Sequence, residues 1–155
     1  MVTDIEIVFE KYHSMYERIF KNIYPAKGNN AFNEQNQTVL FSKAFEKECG
    51  DNSFSWFELN VEKRGRVDAV LFNIYAKEIF IVESKQFWSD KERCRSFRDI
   101  RRTLGYEKEV VTQKLKGGIW LRENFRASPN FVEACKIVKE QYNLLMMCWK
   151  LSSNS

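Results

Sequence analysis

The hydrophobic period of this 155-residue chain changes at Asp51-Asn52, where a helical pattern gives way to a strand pattern. Before that point apolar side chains recur every three or four residues, and after it they alternate with polar ones or form short runs. Two amphipathic helices followed by consecutive strands bury their apolar faces when the helices pack on the sheet that the strands form. Because the chain has the length of one domain, the pattern predicts a single α/β domain over residues 1–155.

The elements are predicted from this periodicity and from residues that begin helices. Thr3-x-x-Glu6 and Ser89-x-x-Glu92 are capping-box patterns, and Pro129 suits the first position of a helix. We expect helices over residues 4–23, 32–48, 89–104 and 128–142, and strands over residues 54–62, 66–75, 78–87, 119–122 and 144–151, with residues 106–116 partly helical. The last strand is so apolar that both of its faces should be buried, and we expect a mixed sheet.

Three charged residues fall on one face of the hairpin that the second and third predicted strands form. If Ala76 and Lys77 make a two-residue loop, Asp68 lies directly opposite Lys85. Glu83 is two residues from Lys85, so it lies on the same face, diagonal to Asp68. Charges on an apolar face need partners, which makes this a costly arrangement for a sheet with only a structural role. The structural alternative is an exposed ion pair between Asp68 and Lys85, with Glu83 solvated.

These side chains suit a hard divalent cation. Mg²⁺ (or Mn²⁺) takes one or two carboxylates together with waters and substrate phosphate, and Asp68 and Glu83 would supply those oxygens. Such an ion polarises the phosphate and helps to generate hydroxide, while Lys85 would orient the attacking water or stabilise the pentavalent phosphorane. The one histidine, His13, lies in the first predicted helix, so catalysis must rely on carboxylates, lysine and a metal ion.

At these residues the sequence resembles the PD-(D/E)XK nuclease superfamily. Asp68 followed by Glu83-Ser84-Lys85 matches the superfamily's core motif, with Val67 in place of its proline. The resemblance implies a restriction-endonuclease-like α-β-β-β-α-β core with a mixed central sheet flanked by helices, over residues 31–122. The N-terminal helix (residues 1–24) and the C-terminal helix and strand (residues 128–151) would be additions to it. Members usually carry a further Glu in the helix before the three strands, and Glu34 occupies that place.

The resemblance implies a metal-dependent endonuclease that hydrolyses phosphodiester bonds in nucleic acid, for which we expect DNA. Asp68 and Glu83 would hold the ion, Glu34 would support the ion or its waters, and Lys85 would assist. The alternative is a catalytically inactive nuclease-fold module that binds nucleic acid or a protein partner. Two clustered carboxylates repel each other without their metal, so we expect Asp68→Ala to leave the fold intact or slightly more stable.

Arginines near this site are candidates for contacts with phosphates. Arg64 and Arg66 lie at the turn before the site, and the helix that follows it carries three arginines on one face: Arg95, Arg98 and Arg102. A solvated amphipathic face explains these three equally well. Gln113 could assist the site, as a glutamine does in some relatives of the superfamily. We interpret the four tryptophans as core or interface residues rather than base-stacking platforms: Trp56, Trp88, Trp120 and Trp149.

Composition bears on partners and location. The net charge of +4 permits an anionic partner without requiring one. Tyr12, Tyr16 and Phe20 could form the face of a two-fold dimer with one site per subunit, although packing on the sheet explains them equally well. No apolar run is long enough to span a membrane, and the first residues lack a secretory leader, so we expect a cytoplasmic location. The four cysteines lie far apart and are expected to be reduced thiols.

Overall fold

Helix α1 (Ile5–Asn22) forms where the sequence predicts the first helix, but a different residue caps it. The computed structural model of the chain describes residues 2–22, 33–60, 66–86, 89–92, 94, 95, 98, 111, 118–125, 131–141 and 144–153. Asp4 caps α1, because its Oδ1 accepts hydrogen bonds from two backbone N–H groups of the first turn, at 3.1 and 3.4 Å. The hydroxyl of Thr3 donates instead to the distant carboxylate of Glu78, so the predicted capping box at Thr3 is wrong.

Helix α2 (Glu34–Cys49) begins two residues later and ends one residue later than predicted, with Gly50 after it as expected. The side chain of Asn33 accepts a hydrogen bond of 2.9 Å from the N–H of Asn36, which satisfies one of the free donors of the first turn. Gly50 closes the helix at a φ of 74°, a backbone conformation that favours glycine. The side chains predicted to form its apolar face are all buried: Leu40, Phe41, Ala44 and Phe45.

Five strands form one sheet in the order β1-β2-β3-β5-β4. They are β1 (Ser53–Asn60), β2 (Arg66–Asn73), β3 (Glu78–Gln86), β4 (Phe131–Gln141) and β5 (Leu144–Ser153). All four neighbouring pairs are antiparallel, so the prediction of a mixed sheet is wrong for the described strands. The coarser prediction, a sheet combined with helices in an α/β fold, is confirmed.

The helices α1 and α2 cover one face of the sheet. Phe41 and Phe45 of α2 pack there on strand residues such as Phe80, whose ring centroid is 5.5 Å from that of Phe45. Tyr12 and Tyr16 are buried in the same cluster, and burial, with Tyr16 nearby, raises the pKa of the Tyr12 hydroxyl. Packing within the chain therefore accounts for both tyrosines without a dimer.

The C-terminal part of the chain differs from the prediction, because residues 131–141 form strand β4 and not a helix. Pro129 at a first helical position suggested the helix, but only Tyr142 and Asn143 separate this segment from β5. Such a short connection places the two segments side by side, where β4 pairs along β5 with a register irregularity between Glu133 and Cys135. Pairing with β5 outweighs helix propensity. The predicted last strand is confirmed, and both of its faces are buried from Leu144 to Trp149.

The second face of the sheet carries a short helix where a strand is predicted. Helix α3 (Ile119–Phe125) buries Leu121 and leaves Ile119 exposed, whereas a half-buried strand would bury the two alike. Leu121 joins Val111 and the apolar side chains of β2 and β3 in a core cluster on this face. Residues 90–92, 94, 95 and 98 are helical, and Ser89 accepts a hydrogen bond from the N–H of Glu92, as its capping box predicts. Within the described residues, no helix has the length and hydrophobicity needed to cross a membrane.

Candidate active site

The connection between β2 and β3 sets the register of the candidate residues. Asn73 pairs with Glu78, so the loop contains the four residues 74–77 and not the predicted two. The paired register ends at Ala69 and Val82, and one step further it would set Asp68 opposite Glu83 rather than Lys85. Loops of two and four residues leave the same side chains on each face, because strand side chains alternate with a period of two. The predicted partner of Asp68 is therefore wrong, and the common face of Asp68, Glu83 and Lys85 stays a prediction, because the paired register ends before Asp68.

Two carboxylates bind β3 just beyond the end of this pairing. Asp68 Oδ2 accepts a hydrogen bond of 2.9 Å from the N–H of Ser84. Glu34 Oε1, from the first turn of α2, accepts one of 2.8 Å from the N–H of Gln86. Backbone N–H groups two residues apart point to the same side of a strand, here the side on which β2 lies. Side-chain carboxylates therefore replace the backbone of β2 as the partners of these two amides.

Further contacts fix α2 above this end of β3. The hydroxyls of Thr38 and Ser84 share a hydrogen bond of 2.7 Å, and the Thr38 hydroxyl also lies 2.9 Å from the carbonyl of Glu34. Gln37 is fully buried and donates from Nε2 to the carbonyl of Leu145 on β5, at 3.1 Å. These polar contacts hold the start of α2, and with it Glu34, in a defined position relative to the sheet.

Glu83 and Lys85 lie on β3 on either side of Ser84. Glu83 is only 6% exposed, and Lys85 is half-buried. On their other flank they pair with β5, Glu83 with Met147 and Lys85 with Leu145. Lys85 makes no hydrogen bond or ion pair with another residue of the described ranges, so the alternative of an Asp68–Lys85 ion pair finds no support there.

A cleft of about 350 Å³ lies between α2, β1 and β2 beside these contacts. Glu34 and Asp68 line it together with Glu58 and Phe57 of β1, whereas Glu83 and Lys85 lie outside it. Glu58 was not predicted as a site residue. It stands across from Asp68 in the β1–β2 register and adopts a φ of 53°, which is unusual for a residue with a side chain. The predicted turn at residues 63–65 sets Asp68 opposite Asn60 instead, and no sequence signal marks the positive φ of Glu58.

Carboxylate oxygens are the kind of ligand that a hard cation prefers, but the carboxylates described here are too few and not grouped closely enough to form a complete coordination shell. Mg²⁺ and Mn²⁺ prefer oxygen donors, and one or two carboxylates suffice when water and phosphate complete the shell. Asp68 and Glu34 each bind a backbone amide through one oxygen, so the second oxygen of each remains for a cation. Among the described residues, no three His, Cys, Asp or Glu side chains are grouped closely enough to hold an ion by themselves. The donors therefore match a site with few protein ligands rather than a closed one.

The basic residues predicted to contact phosphate are only partly described. Arg95 and Arg98 are exposed and helical, and Arg66 begins β2. Arg64, Arg102 and Gln113 lie outside the described residues, as does Trp88. Trp149 is fully buried and Trp120 half-buried, in agreement with a core role, whereas Trp56 is 49% exposed. Trp56 is therefore not a core residue, and the other predicted role, an interface residue, stays a prediction for it.

Comparisons of the chain with models of known protein families, with curated proteins and with solved structures gave no match. The resemblance to the PD-(D/E)XK superfamily remains a prediction from the motif, and a functional assignment depends on the chemistry of the residues described above.

Proposed function

We propose that the protein is a metal-dependent nuclease that hydrolyses phosphodiester bonds in nucleic acid, with DNA as the expected substrate. The proposal rests on one observation: four residues from three elements lie at the same end of β3. Asp68 and Glu34 bind the amides of residues 84 and 86, and Glu83 and Lys85 belong to the same short stretch of strand. A stretch with three carboxylates and a half-buried lysine that pairs with no other described residue is costly for a purely structural sheet.

Each residue has a role that follows from its position. The amide of Ser84 holds Asp68 and the amide of Gln86 holds Glu34, so that one oxygen of each is fixed and the other can bind a cation without reorganising. A Mg²⁺ or Mn²⁺ bound there would supply Lewis-acid polarisation of the phosphate and a bound water of lowered pKa. Lys85 lies on β3 between the two residues whose amides hold Asp68 and Glu34, and in the proposed role its charge orients the attacking water or stabilises the negative charge that develops on the phosphate.

A cleavage assay with Mg²⁺ or Mn²⁺ tests the proposal across linear, circular, branched and single-stranded DNA. We expect cleavage by the wild type and a loss of at least about 100-fold in Asp68→Asn, since loss of a group that merely orients a ligand already costs about 10- to 100-fold. Glu34→Gln should also lose activity. Glu46→Gln is its matched control, because Glu46 is an exposed carboxylate at the other end of the same helix. Equal activity in all three variants would contradict the proposal.

The second candidate is an inactive module of the same fold that binds nucleic acid or a protein. It is favoured by one observation: the described residues contain no group of three metal-binding side chains, and two of the carboxylates already bind backbone amides. Titration calorimetry with Mn²⁺ separates the two candidates. We expect wild-type binding that Asp68→Asn abolishes, whereas an absence of binding together with an absence of cleavage would favour the inactive module.

A further inference from the structure

Phe57 is an exposed aromatic residue in the wall of the carboxylate-lined cleft. Its side chain is 41% exposed and lines the same cleft as Glu34 and Asp68. On β1 it pairs with Ala69, the neighbour of Asp68. No aromatic ring among the described residues packs against it. Core packing within the described chain therefore does not explain an apolar ring at this position.

The other exposed aromatic residues of β1 lie elsewhere. Phe54 stacks on Phe72, with ring centroids 4.9 Å apart and an interplanar angle of 26°. Trp56 pairs with Val70, and strand alternation directs it to the opposite face of the sheet from Phe57. Of these three residues, Phe57 alone lines the cleft. Trp56, the preceding residue, has a similarly exposed side chain and can serve as a control.

We propose that Phe57 stacks on an unpaired base of the substrate, an inference that rests on the proposed function and names its substrate class. An aromatic side chain binds the flat face of any base, so such stacking is tolerant of sequence. Bases within a duplex already stack on their neighbours and are not available to a side chain. Phe57 and Asp68 line the same cleft, which sets the ring on the path of a strand whose phosphate is bound at Asp68. The site therefore acts on single-stranded, looped or flipped-out nucleotides, and the ring positions the strand while the polar residues act on the phosphate.

The test measures binding separately from cleavage. Fluorescence anisotropy in EDTA and in Ca²⁺ reports the affinity for a single-stranded oligonucleotide and for the matching duplex. Phe57→Leu keeps the apolar bulk and removes the aromatic face, Phe57→Trp keeps the face, and Trp56→Leu is the matched control. We expect Phe57→Leu to weaken single-strand binding by about 5- to 150-fold, the range of one base–aromatic stack, with duplex binding unchanged. Phe57→Trp and Trp56→Leu should bind like the wild type.

A set of oligonucleotides, each with one abasic site, identifies the base that contacts Phe57 and does not depend on a single protein variant. Removing the base at one position beside the cleaved phosphate should weaken wild-type binding by the same factor and should add nothing in Phe57→Leu, because the two changes remove one interaction. If Phe57→Leu binds like the wild type and no abasic position matters while cleavage persists, the inference fails and the proposed function stands. If the wild type neither binds nor cleaves any oligonucleotide, both fail. Phe57-dependent binding of a lysine-rich peptide to the metal-free cleft, without oligonucleotide binding, would also overturn the inference.

Discussion

Asp68 has a structural contact as well as its proposed role in catalysis. Its carboxylate accepts the hydrogen bond from the N–H of Ser84, on a fully buried residue of β3. Removing the acceptor leaves this amide without its partner, which costs about 1–3 kcal/mol for a buried group. Removing the charge of Asp68 also relieves its repulsion with neighbouring carboxylates, which raises the free energy of unfolding. The expectation from sequence alone, that Asp68→Ala leaves the fold as stable or more stable, considered only the repulsion.

We therefore predict that Asp68→Ala is less stable than Asp68→Asn by about 1–3 kcal/mol, although both lose cleavage. The Asn side chain keeps a carbonyl oxygen for the Ser84 amide and removes the charge, while Ala removes both. Urea denaturation of the two variants in EDTA gives the difference in the free energy of unfolding. Equal stabilities would mean that the hydrogen bond contributes nothing to the fold.

Cys49 provides a pH-dependent prediction. Burial raises the pKa of its thiol, and the carboxylates of Glu78 and Glu48 raise it further, whereas a hydrogen bond with Thr3 lowers it. Because the folded-state pKa is raised, the neutral thiol stabilises the fold below the ordinary thiol pKa, and that contribution is lost as the pH rises through the folded-state value. The thiolate is the reactive form, so alkylation of Cys49 should reach half its maximal rate at a higher pH than alkylation of a cysteine in an unstructured, neutral peptide with blocked termini. Peptide mapping after timed iodoacetamide treatment measures this, and equal midpoints would contradict it.

At the scale of elements, the sequence predicts the parts whose signals are local. Helical periodicity and Gly50 locate α2, and strand alternation locates β2 and β3 even though the predicted loop length between them is wrong. Strand β4 could not be predicted in this way, because the pairing with β5 that decides its conformation is a tertiary contact. The position of Glu58 depends on a positive φ that no residue type signals. Local signals therefore locate the elements that carry the candidate residues, while the strand pairing of the C-terminal region depends on tertiary contacts.

For the helical segment after β3 we predict an effect on nucleic-acid binding that is separate from any effect on phosphodiester cleavage. Neutralising Arg95, Arg98 and Arg102 together should weaken nucleic-acid affinity and leave the metal requirement unchanged. Each phosphate contact releases close to one counterion, so the slope of log affinity against log salt should become shallower by about three units at most. Affinities of the wild type and triple variant at several salt concentrations provide the slopes.

A matched control separates local contacts from net charge. Replacing three exposed lysines on α1 and α2 with glutamine, namely Lys21, Lys43 and Lys47, removes the same charge at other places. Its salt slope should stay at the wild-type value. If the arginine variant also keeps the wild-type slope, the arginine face is solvated surface and the substrate approaches from elsewhere.

At the scale of the whole molecule, a polar network at the other end of β3 joins distant parts of the chain. Glu78 is 2% exposed, and its Oε1 accepts hydrogen bonds from the N–H and hydroxyl of Thr3, at 2.9 and 2.7 Å, and from Asn73 at 3.3 Å. Lys150 Nζ lies 2.9 Å from Oε2, a charge contact whose angles are not those of a hydrogen bond. The network therefore ties the segment before α1 to β2, β3 and β5, away from the candidate site.

We predict that Glu78→Gln lowers the free energy of unfolding by about 1–3 kcal/mol, since it removes the charge facing Lys150 while keeping an acceptor for Thr3. Lys150 retains access to water, which limits the loss. A double-mutant cycle with Lys150→Met should show coupling between the two residues. Cleavage well below the unfolding midpoint should not change. Reduced cleavage with unchanged stability would instead assign Glu78 a functional role.

The separation of β2 from β3 beyond Ala69 and Val82 also creates an edge inside the sheet. The amides of Ser84 and Gln86 there would be open to a strand of another chain if no side chain covered them. Two negatively charged carboxylates occupy both amides and repel the carbonyl groups of an incoming strand. The residues proposed for catalysis thus also protect the sheet against strand invasion. A variant that lacks both Asp68 and Glu34 should therefore lose cleavage and also aggregate more readily than the wild type.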